Sequence, residues 1–72
     1  MRTITIGSRI KALRAERCQT QEQLANALGV TPQAVSRWEV EKSYPDLELL
    51  PVIAKYFDVS TDFLLGVENR RT

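Results

Sequence analysis

The chain has 72 residues, 43% hydrophobic and 26% charged, which fits one soluble globular domain with a modest core. No apolar run approaches the roughly 20 residues that span a bilayer. The N-terminal MRTITIGSR lacks the apolar stretch of a signal peptide, so a cytoplasmic location is expected. A single cysteine, Cys18, excludes an internal disulfide framework, and the lack of histidine excludes Cys/His zinc sites and Ser-His catalysis; no metal, cofactor or reaction is expected.

In chain order, Thr3, Ile4, Thr5 and Ile6 alternate, but no second strand is available to pair with them. Residues 1–5 therefore read as an extended arm. Thr5 is positioned to cap a first helix, in which Ile6, Ile10 and Leu13 share one face and which runs to about Arg17. Thr20 caps a second helix over Gln21–Leu28, and Gly29 supplies its C-terminal turn. Thr31 caps a third helix with Pro32 in its first turn, where a missing N–H costs nothing, ending near Val40. After the loop EKSYPD, the residues Leu47, Leu50, Ile53, Ala54 and Phe57 predict a fourth amphipathic helix. Pro51 falls inside that pattern: either regular helix begins close to Pro51 after an irregular turn at Leu47–Leu49, or it begins near Leu47 with Pro51 tolerated early, the reading preferred here. Ser60 caps a fifth helix, Thr61–Leu65, closed by Gly66, and residues 67–72 read as a polar tail. The expected core is Ile10, Leu13, Leu24, Ala25, Leu28, Val30, Val35, Trp38, Leu50, Ile53, Ala54, Phe57, Val59, Phe63 and Leu64, with Trp38 at its centre.

The most informative stretch is QEQLANALGVTPQAVSRWE, residues 21–39. Leu24, Ala25 and Leu28 form one apolar face, Gly29 interrupts it, and Val35 and Trp38 form the next. Helices joined by so tight a turn cross steeply; small Ala25 lets them approach, and Val30 fills the wedge between them. This is a helix-turn-helix, whose second helix presents its outer face to the major groove of DNA. With Val35 and Trp38 turned inward, Thr31, Gln33, Ala34 and Arg37 face outward near the start of the third helix as candidate base contacts. Gln pairs bidentately with adenine, Arg with guanine, and a small apolar group touches the thymine methyl. The bland reading of the same residues is a solvated helix face. Thr20 and Gln21, at the start of the second helix, and Ser36, Lys42, Ser43 and Tyr44, flanking the third, are candidate phosphate contacts.

The spacing of Gln21, Leu24, Ala25, Gly29, Val30, Val35, Ser36, Trp38 and Glu39 resembles the phage repressor and Cro family, often called the Xre family, over about Ile6–Gly66. The resemblance implies an all-α, five-helix, lambda-repressor-like domain spanning residues 6–66. The function implied is that of a sequence-specific DNA-binding transcriptional regulator, most simply a repressor. The partner expected is double-stranded DNA carrying a near-palindromic operator, bound by a homodimer whose self-contact lies in the fourth-to-fifth helix region. The resemblance also implies a structural ion pair between Arg14 and Glu39 and a phosphate contact at Gln21. Five positions depart from the family pattern. Ser8 stands where Glu completes a capping box with the threonine, and Cys18 where glycine or asparagine ends the first helix. Pro32 stands where a second polar reader is common. Val40 and Glu41 replace a polar or basic residue followed by glycine.

Charge is finely balanced, at ten basic residues against nine acidic, for a net of +1. That total argues mildly against DNA binding, which draws on cations. The distribution argues for it: Arg2, Arg9, Lys11, Arg14 and Arg17 load the N-terminal quarter, Arg37 and Lys42 lie in or after the third helix, and Asp46, Glu48, Asp58, Asp62 and Glu68 follow. An acid at Glu41 predicts repulsion of phosphate on that side. Together with the neutral total it supports one rival reading, a protein-interaction module such as an antitoxin-like partner-binding domain. An enzyme is a distant second, since the carboxylates Asp46 and Glu48 come with neither histidine nor pocket-forming loops.

Overall fold

The computed structural model describes residues 5–67. The expected arm at 1–5 and tail at 67–72 lie, apart from Thr5 and Val67, outside the described residues. Five α-helices follow one another: α1 (Ile6–Glu16), α2 (Gln21–Leu28), α3 (Pro32–Glu39), α4 (Leu50–Phe57) and α5 (Thr61–Leu65), with a 3-10 turn at Leu47–Leu49 before α4. The five-helix, all-α fold class matches expectation.

The helix starts are chemically explicit. Thr20 and Gln23 form a full capping box: Thr20 Oγ1 accepts from the Gln23 amide at 3.0 Å, and Gln23 Oε1 accepts from the Thr20 amide at 2.8 Å. Thr31 Oγ1 accepts from the Ala34 amide at 3.1 Å ahead of Pro32, and Ser60 Oγ accepts from the Phe63 amide at 3.0 Å. All three caps have extended backbone, with ψ of 164°, 152° and 157°. Thr5 does not: its ψ is 40°, and its side chain makes no capping bond to α1, contrary to the expectation from sequence.

The helix exits share one geometry. Each helix is followed by a residue at positive φ: Cys18 (55°), Gly29 (74°), Glu41 (62°), Asp58 (58°) and Gly66 (79°). Each forms the paired 5→2 and 6→1 bonds of a Schellman motif, as where Glu41 N donates to Trp38 O at 3.0 Å and Lys42 N to Arg37 O at 2.9 Å. Cys18 and Glu41 therefore occupy the backbone conformation that glycine favours, despite a strain of roughly 1–2 kcal/mol for an L-residue there. The carbonyls satisfied by each motif offset that strain.

The fourth helix begins later than preferred from sequence. Pro51 cannot share α-helix with the residue four before it, because its ring would meet the Leu47 carbonyl. The chain instead forms a 3-10 turn closed by Leu49 N to Asp46 O at 2.9 Å, and α4 starts at Leu50 with Pro51 in its first turn. The tighter winding breaks the apolar register, so Leu47 is 81% exposed rather than part of the α4 face.

The core contains Ile10, Leu13, Leu24, Ala25, Val35, Trp38, Ile53, Ala54, Phe57, Phe63 and Leu64, as expected, and also Ile6. Leu28, Val30, Leu50 and Val59 pack against it while only partly buried. Outside it, the Arg17 guanidinium stacks on Tyr56 and Phe57, and that of Arg9 lies 4.6 Å from the Phe63 ring centre.

Gly7 sets how closely α1 and α3 meet. A Cβ there would lie 1.7 Å from the Trp38 carbonyl oxygen. Gly7→Ala, which in an exposed helix would add about 1 kcal/mol of helix propensity, is expected here to destabilise by about 3 kcal/mol. Urea unfolding of the two chains measures the difference; a gain in stability would refute the close approach.

Candidate nucleic-acid interface

The helix-turn-helix formed by α2 and α3 is locked to α1 through one carboxylate. Glu39, the last residue of α3, is 7% exposed and is the buried charged residue among those described. Its Oε2 accepts from Arg14 Nε at 2.7 Å, and its Oε1 accepts from Arg14 Nη2 at 3.0 Å, a two-pronged pair between α1 and α3. Oε1 also accepts from Gln21 Nε2 at 3.0 Å, which brings in the first residue of α2. Arg14 Nη1 donates to the Gln19 carbonyl at 2.6 Å, fixing the α1–α2 connection. Hydrogen bonding to Glu39 raises the pKa of Arg14 above its already high ordinary value, against a smaller opposing effect of burial. The arginine half of the pair thus stays charged through neutral and moderately alkaline pH, and the stability that the raised pKa represents is lost only as pH rises through it.

On the far side of α3 from Val35 and Trp38, Gln33 and Arg37 are exposed. Among the described residues neither side chain is engaged in a hydrogen bond or ion pair, so both are available to a ligand. Thr31 is exposed, with its hydroxyl oxygen accepting from α3's own first turn. Ala34 is only half-exposed and packs partly against the core, so its methyl sits at the boundary between core and outer face.

Around this face, Thr20, Lys42 and Tyr44 are exposed, Tyr44 by 56%, and Gln21, Ser36 and Ser43 are half-buried. Thr20 and Gln21 sit at the amino end of α2, where backbone N–H groups point outward. The Gln21 side chain is turned toward Glu39, a link that the sequence reading did not include; one amide hydrogen is used there and one remains. The capping partner Gln23 was also missed, although Thr20 followed three residues later by Gln is its signature. Glu41 is the larger surprise. Its carboxylate is turned back onto α1, where Oε2 accepts from the Ser8 amide and from Ser8 Oγ, each at 3.1 Å.

A carboxylate shared among three helices predicts strong coupling. Arg14→Ala is expected to cost roughly 3 kcal/mol, because it leaves the buried Glu39 carboxylate without its main partner, and Glu39→Ala somewhat less, because the Arg14 left behind is only partly buried. The double variant should fall short of the sum by about 1–3 kcal/mol. Urea unfolding of the four chains gives the cycle; strict additivity would mean that the two groups do not act as a pair.

The helix-turn-helix family profile HTH_3 matches residues 10–64. The HTH-type transcriptional activator BcrR of Enterococcus faecalis is 45% identical over 61 residues, 85% of this chain and 30% of that protein. The repressor protein C2 of Salmonella phage P22 is 35% identical over 72 residues, 100% of this chain and 33% of that protein. The regulator YonR, derived from the SPbeta prophage of Bacillus subtilis, is 39% identical over 59 residues, 82% of this chain and 55% of that protein. The chain thus spans a third to about half the length of these relatives. Among solved structures, the P22 c2 repressor in complex with a synthetic operator superposes with a TM-score of 0.81 at 33% identity, over 88% of this chain and 96% of that one. With a family model matched over residues 10–64 and a solved repressor superposing over 88% of its length, the chain belongs to the helix-turn-helix family of phage repressor and Cro type.

Proposed function

We propose that this chain is the DNA-binding unit of a transcriptional regulator, most simply a repressor, with no catalytic role. The observation that carries the reading is the pairing of an exposed, unengaged Gln33 and Arg37 on the outer face of α3 with a carboxylate hub that fixes that helix against the body of the domain. In this reading Thr31, Gln33, Ala34 and Arg37 meet base edges in the major groove. Thr20, Gln21, Ser36, Lys42, Ser43 and Tyr44 bracket them on the phosphates. Support comes from the P22 repressor, whose solved structure holds a synthetic operator and shares this fold at 33% identity.

One helix of 8 residues covers too few base pairs for useful specificity. The chain is therefore proposed to act as a homodimer on a near-palindromic operator, with the α4–α5 region as the self-contact. Exposed Leu47 and Val52 beside α4 and in it supply apolar surface there. Selection of bound sequences from a random duplex library is expected to return two inverted half-sites whose centres lie about one helical turn apart, roughly 10 bp, or a multiple of it. A selected site without symmetry would remove the dimer.

Reading and gripping separate by mutation. Arg37→Ala should lose about 1–3 kcal/mol on the selected site and relax preference at one base position. Lys42→Ala should weaken all duplexes alike and lower the salt slope by about one unit. Titrations of both variants on selected and scrambled duplexes, across salt, distinguish the roles. Equal weakening of both duplexes by Arg37→Ala would make it a phosphate contact. Failure of the unmodified chain to bind either duplex at low salt would favour the protein-interaction reading.

A further inference from the structure

The segment leaving α3 carries an acid where the family pattern has glycine, and the fold puts that acid to use. Glu41 holds a φ of 62°, a conformation disfavoured for any residue with a Cβ. The carboxylate does not extend into solvent beside Lys42. It reaches α1, 33 residues away in sequence, and accepts both the Ser8 amide and the Ser8 hydroxyl.

This contact answers a local deficit. α1 has no acidic residue in its first turn, and Thr5 makes no side-chain cap. Among the described residues, its first turn and cap position therefore supply neither the side-chain acceptor nor the negative charge that a helix start favours. Glu41 supplies both from another element. Gly7 makes room for it: a Cβ there would strike the Trp38 carbonyl and crowd the Glu41 carboxyl carbon at 3.1 Å. Two of the departures from the family pattern, Ser8 and Glu41, are thus the two halves of one contact.

We propose that Glu41 is a positioning residue. Its bond to Ser8 clamps the start of the segment Glu41–Tyr44 to α1, so that Lys42, Ser43 and Tyr44 are presented to the DNA backbone in a fixed place. The Ser8 donors and the amino end of α1 also compensate a charge that would otherwise repel phosphate. The proposal rests on the DNA-binding reading above, but the clamp itself is measurable without DNA.

The test uses the whole chain with E41G and E41Q. Glycine removes the carboxylate while suiting the left-handed backbone, so E41G folds; glutamine keeps an acceptor for Ser8 without the charge. In the DNA-free protein, E41G is expected to speed amide exchange at Ser8 by about tenfold relative to amides in the middle of α1, whose protection reports overall stability. On the selected duplex, E41G should weaken binding several-fold and lower the salt slope by about one unit, as a displaced Lys42 would. E41Q should retain most of the Ser8 protection and most of the affinity. Unchanged exchange at Ser8 in E41G would overturn the clamp. Tighter binding to all duplexes by both variants would overturn positioning and make Glu41 a purely repulsive charge. Lost protection with unchanged DNA binding would also overturn positioning while leaving the DNA-binding reading intact. No binding by the unmodified chain would fell that reading and positioning with it, even with the clamp intact.

Discussion

One buried carboxylate organises the domain. Glu39 ends α3, receives two bonds from Arg14 of α1 and one from Gln21 of α2, and is the charged group drawn inside among the described residues. Taking a carboxylate out of water costs several kcal/mol, and only good geometry with further hydrogen bonds offsets this. Here those bonds come from both neighbouring helices, so the favourable arrangement exists only when all three stand in register. The orientation of α3, and with it the direction in which Gln33 and Arg37 project, follows from that requirement. Apolar packing of Val35 and Trp38 holds α3 down, whereas the Glu39 bonds set its rotation and its distance along α1.

Much of this was legible in the sequence, and the reasons differ by element. Caps at Thr20, Thr31 and Ser60 could be read because each precedes an apolar helical period and has the side chain for the role. Gly29 and Gly66 marked their exits for the same local reason. The apolar faces of α1, α2 and α3 followed from spacing. Arg14 and Glu39 could be named only through family resemblance, since nothing local links two charges 25 residues apart.

What escaped was nonlocal or depended on backbone detail. Gly7 looks like an isolated helix glycine until the Trp38 carbonyl is placed against it. Thr5 has the right side chain for a cap but the wrong backbone. Leu47 kept the right period, but Pro51 forced a tighter turn before α4 and moved it to the surface. The Glu41–Ser8 contact had no local signal: each residue registered only as a departure from a pattern, and their compensation emerges in three dimensions.

The helices themselves are short: 11 residues in α1, 8 each in α2, α3 and α4, and 5 in α5. Each falls below the roughly 12–15 residues at which a lone helix becomes even marginally populated in water, because nucleating the first turn is unfavourable. None therefore exists as a helix ahead of the others. The outer face of α3 is a property of the assembled domain, and a peptide covering residues 31–44 would be mostly unstructured. Unfolding should accordingly be all-or-none. The pairs α2–α3 and α4–α5 join helices close in sequence, whereas α1 packs on α3 and on α5, so the cooperative step carries the loop-closure entropy of bringing the first helix onto the last.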